Sequence, residues 1–161
     1  MSERNAYEDE LEEYTQRDKF LIFSLKKQFY GIEIKYVTEI IGIQPIAAVP
    51  DLPGYIQGII NLRGKIIPVM DVRLRFGMEE QPYNDRTCII VIDITNRVMG
   101  LIVESVSEVL PISPSEIVAA PEAQGNGGGF ITGIGKTGSD VKLLIDCEIL
   151  LRDNLSITPA V

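Results

Sequence analysis

The sequence predicts an all-β protein built from two related small barrels, and three observations carry that prediction. Ile (24) and Val (12) far outnumber Ala (7), a balance that suits pleated, half-buried sheets better than helices. Two stretches, each an apolar run on either side of a short polar turn, read as β-hairpins. The two hairpins also align without a gap when one is shifted by 69 positions.

Residues 1–18 hold seven acids and two bases, and are expected to form an acidic tail that is disordered when free. The first hairpin follows as Phe20–Leu25, the turn Lys26-Lys27-Gln28, and Phe29–Ile34. Tyr36, Val37, Ile40 and Ile41 stand at helical spacing and predict about one and a half turns of helix. Ile66–Met70 reads as a buried strand, and Val72–Phe76 before Gly77 as one helical turn ending in a glycine cap. Met78–Arg86, rich in Glu, Gln, Pro, Asn and Asp, reads as a linker. The second hairpin is Cys88–Ile94, Thr95-Asn96-Arg97 and Val98–Val103, with Val141–Ile145 as a last buried strand. Residues 19–151 then form the folded unit, with a first barrel over about 19–77, linker 78–86, and a second barrel over about 87–151. Strand exchange between the barrels is allowed, and residues 152–161 form a C-terminal tail.

Laying Phe20–Ile43 over Ile89–Ile112 matches 22 of 24 pairs by class, with identities at Gly31/Gly100, Val37/Val106, Glu39/Glu108 and Ile43/Ile112. A second block, Gly58–Arg75 over Gly133–Leu150, aligns at offset 75 and pairs Gly58/Gly133 and Asp71/Asp146. The extra residues fall near Gly125–Gly129, a flexible loop by composition. Barrel closure would also remove edge strands that so much Ile and Val would otherwise leave sticky.

The net charge of −8 argues against a nucleic-acid surface, which needs a clustered positive field. The chain has no His, which removes the commonest general base and most zinc and iron sites. Cys88 and Cys147 lack metal or redox spacing and are expected to be buried reduced thiols. No apolar run reaches the length of a membrane span.

Gly133-Ile134-Gly135-Lys136-Thr137 resembles a phosphate loop, but Phe130 stands where that motif needs Gly, and a turn and strand follow instead of a helix. Asp71 and Asp146, equivalent in the two copies, could form a carboxylate dyad. Each is read instead as the N-cap of a helical turn. The segment Gly58–Pro68 is where the copies diverge most, with Asn61-Leu62-Arg63-Gly64 facing Lys136-Thr137-Gly138-Ser139. From the residues alone, Arg63 is either a solvated turn arginine or a planar fork for a carboxylate.

Tyr30–Ile34 with Val37 and Glu39, the run from Gly58 to Arg73, Val98–Val106 and Gly133–Gly135 together resemble the CheW family of bacterial chemotaxis coupling proteins. The resemblance covers about residues 20–151. It implies two intertwined five-stranded Src-homology-3-like barrels with short helices around a shared hydrophobic centre. It also implies an adaptor with no catalytic residue, metal or cofactor, monomeric when free. Its partners would be the cytoplasmic helical hairpin of chemoreceptors and the regulatory domain of the histidine kinase CheA, with no nucleic acid and no membrane insertion. Such a protein is cytoplasmic and recruited to membrane-associated receptor arrays. Receptor-binding positions carried over are Val37, Glu39, Gly58, Asn61 and Arg63, and kinase-binding positions are Ile41, Ile43 and Val49. On this reading Gly58 lets a partner helix approach, Val37 is an apolar contact, and Arg63 is oriented by Glu39 or reaches a receptor carboxylate. Ile41 departs from relatives that carry a basic residue there.

Overall fold

Strands β1 (Lys19–Leu25) and β2 (Gln28–Glu33) form the first hairpin, and β6 (Cys88–Ile94) and β7 (Arg97–Val103) the second. These lie in a computed structural model that describes residues 17–121 and 129–152. Most of the expected acidic tail, Gly125–Gly128 and residues 153–161 lie outside the described residues. The remaining strands are β3 (Val37–Gly42), β4 (Ile56–Leu62), β5 (Lys65–Asp71), β8 (Ser105–Pro111), β9 (Ile117–Ala119), β10 (Ile131–Thr137) and β11 (Asp140–Ile145). The helices are short: α1 (Val72–Arg75) and α2 (Cys147–Arg152), with 3-10 turns at Ile34–Tyr36 and Pro114–Glu116.

The long apolar runs of the hairpins are explained by burial on both faces. In β1, Phe20 and Ile22 join Ile112 and Leu144 in one cluster, while Leu21, Phe23 and Leu25 join a larger one with Met70, Ile90 and Leu101. β6 divides in the same way, Ile89 and Val91 packing with Ile60, Ile67 and Val69, and Ile90, Ile92 and Ile94 entering the large cluster. Each sheet therefore wraps a small core of its own, and the two share a third between them.

The sheets run β8-β1-β2-β11-β10-β9 and β3-β6-β7-β5-β4. Each combines a hairpin from one copy of the repeat with strands from the other. The seams between the copies are the antiparallel pairs β1–β8 and β3–β6 and the parallel pairs β2–β11 and β5–β7. Gly31 and Gly100, identical in the two copies, sit at these seams. A Cβ on Gly31 would stand 3.0 Å from Leu144, and one on Gly100 2.9 Å from Val69. The six-stranded sheet gains β9 beyond the five strands expected. Its counterpart in the other sheet is a single bridge between Ala47 and Ile59.

The expected helix around Tyr36–Ile41 is instead the 3-10 turn followed by β3. β-Branched Val37, Ile40 and Ile41 pair along β6, and Thr38 forms a bulge in which Thr38 and Glu39 together oppose Val91. The turn Val72–Phe76 is helical as expected, with Gly77 at φ 78°. Asp71 caps it, Oδ1 accepting from the Arg73 amide at 2.9 Å, and Asp146 accepts from the Ile149 amide at 3.1 Å. Lys136-Thr137 closes β10 and leads through a Gly138 turn into β11, so no helix faces a phosphate there.

The two thiols differ. Cys147 is buried, and burial pushes its thiol well above the ordinary range. Cys88, expected to be buried, is half-exposed as the first residue of β6, and its Sγ lies 3.3 Å from the Arg86 carbonyl oxygen. Iodoacetamide under native conditions should therefore modify Cys88 first, with Cys147 reacting only at the rate of unfolding. Peptide mass mapping over time reads this directly, and equal rates would contradict the burial of Cys147.

Candidate functional site

β3 and β4 stand at opposite ends of their strand order, yet Glu39 on β3 is ion-paired with Arg63, just beyond β4. The five-stranded sheet therefore curls until its ends meet, and the pair marks the closure. Local sequence explains both partners. The Thr38 bulge, held by its hydroxyl donating to the Val91 carbonyl at 3.1 Å, shifts the alternation of β3 and re-aims the residues after it. Val37 before the bulge packs on the shared core, whereas Ile41 after it packs on the sheet's own core.

Arg63 and Gly64 connect β4 to β5 with φ of 51° and 86°, the left-handed pair that a tight two-residue hairpin turn requires. Asn61 holds this turn, its Oδ1 accepting from the Gly64 amide at 2.8 Å. The Asn61 amide nitrogen remains available at the surface. The Arg63 side chain is 69% exposed and that of Glu39 31%, so the pair contributes only about 0–1 kcal/mol to stability. Its guanidinium is pre-oriented with donors to spare.

Of the five expected receptor positions, Glu39, Asn61 and Arg63 come together in this patch, and Val37 lies on the same strand as Glu39, half-buried. Gly58 differs. It is buried at φ 147°, and a Cβ there would stand 2.1 Å from the Ala47 carbonyl oxygen. The room at Gly58 is thus filled by this chain's own backbone, not left for a partner helix. At the equivalent Gly133 the neighbour is a side chain instead, a Cβ there standing 2.9 Å from Ile117 of β9.

The expected kinase positions also separate. Ile41 and Ile43 are half-buried against the core of the five-stranded sheet, while Val49 is 39% exposed. The apolar side chains that face solvent nearby are Ile40, at 43%, and Ile66, at 57%. Ile66 is the cross-strand partner of Asn61 and so shares its face. The sequence predicts Ile40 on a helix face and Ile66 in a buried strand; each is instead the outward member of an Ile-Ile pair, because neighbours in a strand point to opposite faces.

Among the described residues no cluster of His, Cys, Asp or Glu could hold a metal, and no helix is long and apolar enough to cross a membrane. Tyr83 donates from its hydroxyl to Asp71 Oδ2 at 2.7 Å, and burial with that carboxylate pushes its phenol upward. This contact pins the linker to α1.

Comparison with known proteins agrees with this architecture. The family model for a CheW-like domain matches residues 19–155. The chain is 38% identical over 138 residues to the chemotaxis protein CheW of Klebsiella aerogenes, covering 85% of this chain and 83% of that one. It is 36% identical over 105 residues to CheW of Bacillus subtilis, covering 65% and 67%. Among solved structures, the scaffolding protein TtCheW from Thermoanaerobacter tengcongensis aligns with a TM-score of 0.78 and 37% identity, covering 83% of this chain and 92% of that one. With the duplicated hairpins, the two exchanged sheets and the Asn-Leu-Arg-Gly turn in place, this chain belongs to the CheW family of non-enzymatic chemotaxis adaptors.

Proposed function

We propose that the protein couples the cytoplasmic helical hairpin of chemoreceptors to the regulatory domain of the histidine kinase CheA, working in the cytoplasm at receptor arrays. The observation that carries this reading is the exposed Glu39–Arg63 pair beside Asn61 and Ile66. An arginine held by one carboxylate, next to a free amide and an exposed isoleucine, suits a helix that offers an acid and an apolar side chain on one face. Gly58 contributes by placing Ala47 and β4 rather than by touching the receptor. Val37 precedes the bulge and packs on the shared core, so it supports the strand that carries Glu39. Co-sedimentation with receptor-bearing membranes, with and without kinase, tests the coupling. Retention of kinase on those membranes only when this protein is present is the expected result.

The kinase is assigned to the free side of β3 and the segment that follows it, through Ile40 and Val49, with Ile41 and Ile43 supporting them from beneath. Ile40→Asp should weaken kinase binding about tenfold while leaving Tm within a degree or two. Ile41→Asp should instead lower Tm sharply, because it sets a carboxylate against Ile60, Ile67 and Val69. Titration calorimetry with the kinase domain, paired with thermal melts, separates the two. Unchanged kinase affinity in Ile40→Asp would move the docking surface elsewhere.

A further inference from the structure

Arg73 presents a problem that the adaptor reading leaves unsolved. Only 4% of it is exposed, and its Nη1 is buried with no hydrogen-bond partner among the described residues. A buried guanidinium without an anion is a costly arrangement, one that a partner carboxylate or phosphate would relieve. The nearest acid in sequence does not serve. Asp71 spends Oδ1 on the amides of Arg73 and Leu74 and Oδ2 on the Tyr83 hydroxyl.

Arg73 lines a cleft of about 620 Å³ between the first hairpin turn and the linker, together with Lys26, Lys27, Glu79, Asn84 and Glu104. Glu104 is engaged, Oε2 accepting from the Lys26 amide at 3.1 Å. That contact holds the turn, where Lys26 and Lys27 both adopt left-handed φ, 49° and 64°. Three cations thus line a cleft in which one of the two carboxylates is already tied to backbone.

We infer that this cleft is an oxyanion-binding site, with the Arg73 fork as its recognition element and Lys26 and Lys27 as its rim. The ligand is a carboxylate or phosphate group, the two chemistries that a planar guanidinium takes bidentately. Because so little of Arg73 reaches solvent, an incoming anion must turn the guanidinium outward about its last torsions. The site is separate from the Glu39–Arg63 patch and does not depend on receptor or kinase binding.

Titration calorimetry of the full chain with inorganic phosphate and, separately, with succinate tests this, with chloride holding the ionic strength constant. Saturable binding of either is expected, and the tighter of the two identifies the source chemistry. Arg73→Met should weaken that binding at least about tenfold. Lys27→Ser, at an exposed turn, should weaken it about threefold and make it less sensitive to salt than wild type, and keeps the test open should Arg73→Met fail to fold. Absence of saturable binding by both anions, or equal binding by wild type and the variants, would overturn the site.

Discussion

Gly58→Ala should destabilise the protein by about 3 kcal/mol or more. Two causes combine at that position. The backbone stands at φ 147°, where side chains are rarely found, and the new Cβ would lie 2.1 Å from the Ala47 carbonyl oxygen. That oxygen accepts from the Ile59 amide at 3.0 Å, while the Ala47 amide donates to the Ile59 carbonyl at 2.9 Å. Backbone cannot yield there without breaking both bonds, which tie the segment after β3 to β4. Urea unfolding followed by circular dichroism measures the loss. A change below about 1 kcal/mol would mean the bridge is dispensable and would restore Gly58 as a residue kept small for a partner.

Arg63→Glu should abolish receptor binding and leave folding nearly untouched. The substitution sets a second carboxylate against Glu39 at the centre of the proposed receptor surface and reverses the charge offered to an acidic helix. Loss of an exposed pair costs about 0–1 kcal/mol, so Tm should fall by a few degrees at most. Binding should fall by about two orders of magnitude, since a charge is now opposed rather than missing. Pelleting with receptor-bearing vesicles alongside a thermal melt reads both quantities. A large drop in Tm with unchanged binding would make Arg63 a structural clasp for the closed sheet. The double charge swap, Glu39→Arg with Arg63→Glu, should recover the melt but not the binding.

The hairpins were legible because burial on both faces leaves a continuous apolar run, and the repeat was legible because both copies meet the same packing demand at Gly31 and Gly100. The error at β3 has a physical source. The bulge at Thr38 shifts the two-residue alternation by one, so Val37 and Ile41 reach two different cores from positions four apart. With Ile40 beside them, that spacing imitates one face of a helix. Arg63 and Glu39 stood out as residue types, but their contact depends on a sheet closing on itself across 24 residues, which local pattern does not encode. Arg73 gave no signal at all. An arginine in a four-residue helix reads as solvated surface, whereas in the fold Arg73 is buried, with the linker held beside it through Tyr83 and Asp71.

The crossing of the two copies also dictates an order of assembly during synthesis. The five-stranded sheet has all its strands once residue 103 is made, because β3 to β7 are consecutive. The first hairpin to leave the ribosome is in the other sheet and has to wait for β8 and then β11, which ends at residue 145. Until then Leu21, Phe23 and Leu25 have only the completed sheet to lean on, and the outer edges of β1 and β2 are unpaired. The earliest part of the chain is thus the last to be locked, and a nascent chain stalled in the second copy would display the sticky hairpin that the finished protein hides.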